Sequence, residues 1–121
     1  RAPDLLDHLR ATFQPGSPVS YDQRFGDVRR ARLLVLDDLG AQSATPWAEE
    51  KLFQILDHRY VSHLLTVVTM TDDGWDRLNE RLRSRFLDSS RCKIIDVDVP
   101  SYRGQAQEPK APRRSTRRRI E

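Results

Sequence analysis

The stretch that decides the fold is residues 33–40, which read LLVLDDLG. Its first four residues are apolar and lack the alternation of a half-exposed strand, so they predict a strand covered on both faces, as in a parallel sheet. Two carboxylates, Asp37 and Asp38, follow the strand directly. Because α/β sheets bind ligands at the carboxyl ends of their strands, this acidic pair is the first candidate for a functional site.

Apolar spacing around this strand predicts the other elements. In chain order they are helices at 5–13 and 20–28, the strand at 33–36, a helix at 46–60, a strand at 65–70, short helices within 75–86 and a strand at 94–99. Ser20 and Gln23 have capping-box spacing, and Pro46 suits the first turn of a helix. Strands separated by helices imply right-handed crossovers and an α/β layered fold with a parallel sheet.

The charge is distributed unevenly along the 121 residues. The chain has a net charge of +3, but residues 101–121 alone carry seven arginines and lysines against two glutamates. The first hundred residues are therefore slightly acidic, which argues against a body whose whole surface wraps nucleic acid. We predict an ordered core at residues 1–102 and a disordered basic tail at residues 103–121.

The tail contains the cluster RRSTRRR at residues 113–119. Such a cluster can bind phosphate backbones, with a steep dependence on salt. No aromatic residue interleaves the arginines, so base stacking and sequence readout are not indicated. The alternative is a solvated end that keeps the protein soluble.

Several protein classes are excluded by composition. The longest apolar-rich stretch, residues 64–70, is far too short to cross a bilayer, and no signal sequence opens the chain. The single Cys92 cannot form an internal disulfide, which fits a cytoplasmic location, and no CxxC or HExxH metal motif is present. Because the chain starts with Arg1 rather than Met, we expect it to be a piece of a longer protein.

The acidic pair and the end of the next strand carry candidate chemistry. In phosphoryl transfer one carboxylate holds Mg²⁺ and the next orients or deprotonates the attacking water, which would be the roles of Asp37 and Asp38. The alternative is an N-cap pair at a strand-to-helix turn. Thr69 and Thr71 lie at the end of the next strand, where a hydroxyl either polarises the same water or simply ends the strand.

A third candidate is the segment ERLRSRF at residues 80–86. Arg81 and Arg85 are four residues apart and share a helix face. An anchored guanidinium can reach a phosphate outside its own subunit and contribute a rate factor of about 10³–10⁵. The alternative is a solvated cationic face paired with Glu80 and Asp88.

The order of these parts resembles a known family. The sequence is similar to the AAA+ ATPase core of the DnaC/DnaI-type helicase loaders and the related IstB transposition helpers, over roughly residues 1–103. The matching segments are PDLLDHLRATF at 3–13, the Walker B-like stretch at 33–40, the helix at 46–60 and the arginine-finger box at 81–86. The resemblance implies a partial P-loop (ASCE/AAA+) three-layer sandwich with sheet order 5-1-4-3-2, with strand 1 and the P-loop lying upstream of this chain.

The resemblance also implies residue roles, cofactors and partners. Asp37 would hold Mg²⁺, and Asp38 would activate water and contact ATP. Thr71 stands at the sensor-1 position, where the family usually has Asn. Arg85, with Arg81 nearby, would reach the nucleotide of a neighbouring subunit. The implied cofactors are ATP and Mg²⁺. The implied partners are further copies of the chain, DNA, and a replicative helicase or a transposase, with no membrane.

One motif of the family is not in this sequence. No GxxxxGK[ST] occurs among the 121 residues, so the loop that cradles the β- and γ-phosphates is not part of them. An alternative is therefore a non-hydrolysing remnant or partner subunit that donates Arg85 to an intact ATPase. A second rival is a receiver-type phospho-acceptor, which needs a further acidic residue and a closing lysine.

Without strand 1 the sheet would have exposed edges, so we expect marginal stability.

Overall fold

A computed structural model of the chain describes residues 1–105. Its elements are α1 (Ala2–Ala11), α2 (Tyr21–Arg30), β1 (Leu33–Leu36), α3 (Pro46–Val61), β2 (Leu65–Val68), α4 (Asp72–Asp76), α5 (Glu80–Phe86) and α6 (Tyr102–Gln105). The strands β1 and β2 are parallel, with Leu33 opposite Leu65 and Leu36 opposite Val68. Helix α3 is the crossover between them, so the predicted α/β fold with a parallel sheet is confirmed.

Two of the predicted helix starts are confirmed by their caps. The Ser20 hydroxyl accepts a hydrogen bond from the backbone N–H of Gln23, at 3.2 Å, at the start of α2. The Thr45 hydroxyl accepts one from the N–H of Ala48, also at 3.2 Å, and Pro46 occupies the first position of α3. Each hydroxyl satisfies a backbone donor that has no partner within its helix.

The helices pack on one face of the sheet. Leu34 and Leu36 of β1 and Val68 of β2 contact apolar residues from α1, α2, α3 and α5. The most deeply buried members of this core are Leu6, Leu9, Leu36, Leu39, Leu52 and Ile55. This packing fixes the strand ends relative to α3 and α5, which carry the remaining candidate residues.

The opposite face of the sheet is exposed. Because side chains alternate along a strand, this face carries Leu33, Val35, Leu65 and Val67, which are 50–71% exposed. The expectation that the first strand is covered on both faces therefore differs from the structure, in which the helices of residues 1–105 cover one face. Of the four apolar residues of β1, the helices therefore cover Leu34 and Leu36 and leave Leu33 and Val35 exposed.

The prediction of a third strand at residues 94–99 is wrong. These residues form no helix or strand, and Ile95, Val97 and Val99 are 69–77% exposed. An alternating apolar pattern supplies the side chains of a strand, but the backbone N–H and C=O groups also need a neighbouring strand. Among residues 1–105 the only paired strands are β1 and β2, so this segment has no partner strand.

A buried arginine joins the helices to the sheet. Arg59, near the end of α3, is 1% exposed. Its Nη1 donates to the carbonyl oxygen of Ala31 at 2.7 Å and, at 3.3 Å, to those of Val28 and Arg29, at the negative end of α2. Burial lowers the pKa of its guanidinium. Backbone carbonyl dipoles balance the charge of the guanidinium. Arg59 therefore acts as a structural connection between elements.

Two other connections of Arg59 reach β2. Its Nη2 donates to the carbonyl oxygen of Leu65 at 2.6 Å, and its Nε donates to the hydroxyl of Thr66 at 2.8 Å. One side chain thus fixes the end of α2 and the start of β2 to α3.

The last helix lies across the predicted boundary between core and tail. Helix α6 (Tyr102–Gln105) includes the first residues of the segment predicted to be disordered. The rest of that predicted tail, including the arginine cluster at 113–119, lies outside the described residues. Of the helices described, none combines the length and the apolar character needed to cross a membrane.

Candidate functional site

The acidic pair lies where β1 ends and the chain turns. The carbonyl oxygen of Asp37 accepts a hydrogen bond from the N–H of Ala2 at 2.8 Å, which joins the strand end to the start of α1. Asp38 has a φ of 63°, in the left-handed region that aspartate tolerates better than most residues. This turn ends the strand and leads the chain into the loop before α3.

The hydroxyl of Thr69 binds both residues of the acidic pair. It donates to Oδ1 of Asp37 at 2.5 Å and accepts from the backbone N–H of Asp38 at 3.0 Å. The backbones also pair here, since the N–H of Leu39 donates to the carbonyl of Thr69 at 2.9 Å. Thr69 is therefore the residue after β2 that contacts the acidic pair.

Thr71, the predicted sensor residue, has a different contact. Its hydroxyl accepts from the backbone N–H of Gly74 at 3.1 Å and caps the start of α4. The start of α4 lies against the loop after the acidic pair, because a Cβ on Gly40 would come 2.6 Å from Cα of Gly74. Thr71 is thus close to the carboxyl ends of the two strands, where the acidic pair lies, but its hydroxyl caps α4.

Asp38 is paired with the first residue of the chain. Nη2 of Arg1 lies 2.5 Å from Oδ2 of Asp38, and the side chain of Asp38 is 31% exposed. The hydrogen bond and the charge of Asp38 raise the pKa of the Arg1 guanidinium. The carboxylate predicted to activate water is therefore neutralised by a cation in this structure.

The two candidate arginines lie on α5 and turn back onto α3. Nη2 of Arg81 is 3.5 Å from Oε2 of Glu50, and Nε of Arg85 is 2.6 Å from Oδ1 of Asp57. Both guanidinium groups also lie over the ring of Phe53, at 3.9 and 5.0 Å from its centroid. The partners Glu80 and Asp88 suggested by the sequence form no ion pair with these arginines in the described part of the chain.

The oxygen donors at the strand ends fit a hard cation. Oδ1 of Asp37 is bound to Thr69, which leaves Oδ2 without a hydrogen bond among residues 1–105. No group of three or more potential metal-ligating side chains occurs in that part of the chain. Mg²⁺ is commonly bound by one or two carboxylates, with water and phosphate completing its ligands, so this donor set fits magnesium held together with a nucleotide.

A cleft of about 310 Å³ opens beside this rim. Its walls are the loop at residues 40–44, the start of α3 and the segment between α4 and α5, including Arg77 and Asn79. Neither carboxylate of the acidic pair lines it. The cleft therefore lies next to the acidic pair but does not include it.

Sequence reasoning missed three residues that face the arginines. Glu50, Phe53 and Asp57 lie on one side of α3, at spacings of three and four residues. That spacing is visible in the sequence, but nothing local indicates that this side meets α5. Arg59 is a further example, because an arginine that binds backbone carbonyl oxygens of distant elements leaves no local pattern in the sequence.

Comparison with known proteins identifies the family. The family of IstB-like ATP-binding proteins matches residues 1–110. The phage-like element PBSX protein XkdC of Bacillus subtilis (strain 168) is 25% identical over 88 residues, which is 67% of this chain and 33% of that protein. The chain thus spans about a third of the length of this curated relative. Since the family match extends over most of its length, this chain belongs to the IstB-like ATP-binding family.

Proposed function

We propose that the chain is the C-terminal part of the AAA+ ATPase core of an ATP-dependent helper protein, either a helicase loader in DNA replication or an IstB-like transposition helper. The observation that carries the proposal is the contact between Asp37 and Thr69 at the ends of two parallel strands, in a chain of the IstB-like ATP-binding family. This is the edge of the sheet at which α/β proteins bind nucleotides.

Each residue at this edge has a proposed task. Asp37 would hold Mg²⁺ through its free oxygen, with Thr69 fixing the orientation of the carboxylate. Magnesium, when bound, neutralises charge on the phosphates. Asp38 would orient the attacking water once Arg1 releases its carboxylate. Thr71 would sense the γ-phosphate, a task that requires its hydroxyl to exchange the contact with Gly74.

Arg85, with Arg81 nearby, would act on a nucleotide held by another subunit. A guanidinium near the transferred phosphoryl group stabilises the charge of the transition state. This task requires an oligomer, and the proposed assembly therefore contains several copies of the chain. DNA and a replicative helicase or a transposase are its proposed partners, and the cytoplasm is its proposed location.

A second function, that of a partner subunit, is favoured by the way in which Arg85 is held. Such a partner subunit would not hydrolyse ATP itself and would donate Arg85, whose guanidinium is held by Asp57 and is partly exposed, to an ATPase with an intact phosphate loop. Arg85, with Arg81 nearby, would then be its main contribution to hydrolysis.

Titration of a fluorescent ATP analogue distinguishes the two functions. If the chain holds nucleotide, it binds the analogue more tightly with Mg²⁺ than without, and Asp37→Asn removes the difference. Asp27→Asn, an exposed carboxylate change on α2, leaves it unchanged. If the chain is a partner subunit, it shows no affinity for the analogue but raises the turnover of an intact IstB-like ATPase, and Arg85→Ala abolishes the effect. If the chain neither binds the analogue nor stimulates the intact ATPase, both functions are contradicted.

A further inference from the structure

The guanidinium of Arg85 is fixed at two of its three nitrogens. Nε donates to Oδ1 of Asp57 at 2.6 Å, and Nη1 donates to the backbone carbonyl of Arg81 at 2.8 Å. Within residues 1–105 the third nitrogen, Nη2, has no hydrogen-bond partner. The side chain is 30% exposed, so the group is held in place but remains accessible.

The surface that holds Arg85 is built from one side of α3. Asp57 binds Arg85 and Glu50 binds Arg81. Phe53 lies between these two acids along α3, and both guanidinium groups lie over its ring. Stacking on the ring and a charge-assisted hydrogen bond restrict a planar guanidinium in both orientation and position. The free Nη2 is therefore presented from a fixed group.

From this geometry we propose that Asp57 is a positioning residue for Arg85: it holds the guanidinium through Nε so that Nη2 can bind a phosphate oxygen of a nucleotide on a neighbouring subunit. This inference rests on the proposed function of Arg85. Holding the arginine in its working position before assembly avoids the loss of side-chain freedom that a long flexible residue otherwise undergoes when it binds.

The negative charge of Asp57 has an opposing effect, because it weakens the attraction of Arg85 for phosphate. The carboxylate binds the Nε side of the guanidinium, whereas the free donor is Nη2. A phosphate at Nη2 therefore makes direct contact with the cation and not with the carboxylate. If the charge effect dominated, removal of Asp57 would increase the action of Arg85, which the experiment tests directly.

The test uses an IstB-like ATPase with its own phosphate loop as the nucleotide-holding subunit and this chain as the added subunit. Two quantities are measured: the turnover number and the chain concentration that gives half of the maximal stimulation. The chains compared are wild type, Asp57→Asn, Asp57→Glu, Arg85→Ala and Glu49→Gln. Glu49 is the matched control, since it lies on the same helix and forms no ion pair within the described residues. Thermal unfolding of each variant reports whether the chain is folded.

We expect Asp57→Asn to lower the stimulated turnover by about tenfold, with little change in the half-maximal concentration, because a neutral amide weakens the charge-assisted hydrogen bond that orients Arg85 while the contact surface remains. Asp57→Glu restores part of the effect, and Glu49→Gln stays within twofold of wild type. No stimulation by wild type, or stimulation that survives Arg85→Ala, would overturn the proposed role of Arg85 and this inference with it. Stimulation that requires Arg85 but is unchanged or increased in Asp57→Asn would overturn this inference alone.

Discussion

Oγ1 of Thr69 lies 2.5 Å from Oδ1 of Asp37, and this contact joins the ends of the two parallel strands. The register explains it: Leu36 is opposite Val68, so the next residues along each chain, Asp37 and Thr69, are also opposite each other. The position that contacts the acidic pair is thus set by strand pairing. Thr71, two residues further on, is already part of the start of α4.

We expect Thr69→Val to destabilise the chain, because valine keeps the shape but loses the donor to Asp37 and the acceptor for the N–H of Asp38. The expected loss in the free energy of unfolding is about 1 kcal/mol, since the site is exposed and water can replace part of the contact. Urea denaturation measures it. Thr69→Ser, which retains the hydroxyl, is the control, and equal stability of the valine variant and wild type would contradict the assigned contact.

Replacement of the buried Arg59 by methionine is expected to be much more damaging. It removes the donors for the carbonyl oxygens of Ala31 and Leu65, which lie at the ends of different elements. We expect a loss of about 2–4 kcal/mol in the free energy of unfolding, because buried acceptors are left without partners.

The matched control for that change is Arg32→Met, which removes the same charge from an exposed position. Its expected effect is within about 0.5 kcal/mol. Urea denaturation of both variants gives the comparison. Similar losses in the two would show that the hydrogen bonds of Arg59 do not stabilise the fold.

Substitution of two glycines allows the cost of backbone strain to be measured separately from the cost of a steric clash. Gly16 and Gly40 both have φ in the left-handed region, at 86° and 98°. A Cβ on Gly16 would meet nothing within 4 Å, whereas one on Gly40 would lie 2.6 Å from Cα of Gly74. We expect Gly16→Ala to reduce the free energy of unfolding by about 1 kcal/mol and Gly40→Ala by about 2–4 kcal/mol. Equal losses, measured by thermal or urea unfolding, would mean that α4 does not pack against the loop as described.

The stability of the chain is expected to depend on pH through Asp88. Hydrogen bonds from Ser90 and then Tyr60 lower the pKa of this carboxyl in the folded chain. A carboxyl with a lowered pKa binds its proton less readily when folded, so its contribution is present above the ordinary pKa of about 4 and is lost as the pH falls below it.

The same contact acts in the opposite direction on Tyr60, whose pKa is raised chiefly by the hydrogen bond to Asp88. Its contribution is present below the ordinary tyrosine pKa of about 10 and is lost as the pH rises above the raised value. Melting temperatures of wild type and Asp88→Asn should therefore differ most near neutral pH and converge in acid. A difference that stays constant from pH 7 to pH 2.5 would contradict the assignment.

The helices and their starts were predictable because they depend on residues close together in the sequence. The hydroxyls of Ser20 and Thr45 cap helices at a distance of three residues, and Pro46 takes a position that only the first turn allows. The third strand failed for the opposite reason. The alternation of Ile95, Val97 and Val99 is local, but a strand exists only when another backbone lies beside it.

The amino-acid sequence by itself determined that an apolar strand ends in Asp37 and Asp38, and that a helix carrying Arg81 and Arg85 follows further along the chain. Only the tertiary structure decided that Thr69 contacts the acidic pair and that Asp57 binds Arg85. The physical reason is that each of these contacts joins residues about thirty positions apart, and its formation depends on the register of β1 with β2 and on the packing of α3 against α5. Local patterns specify which groups are available, and packing determines which of them meet.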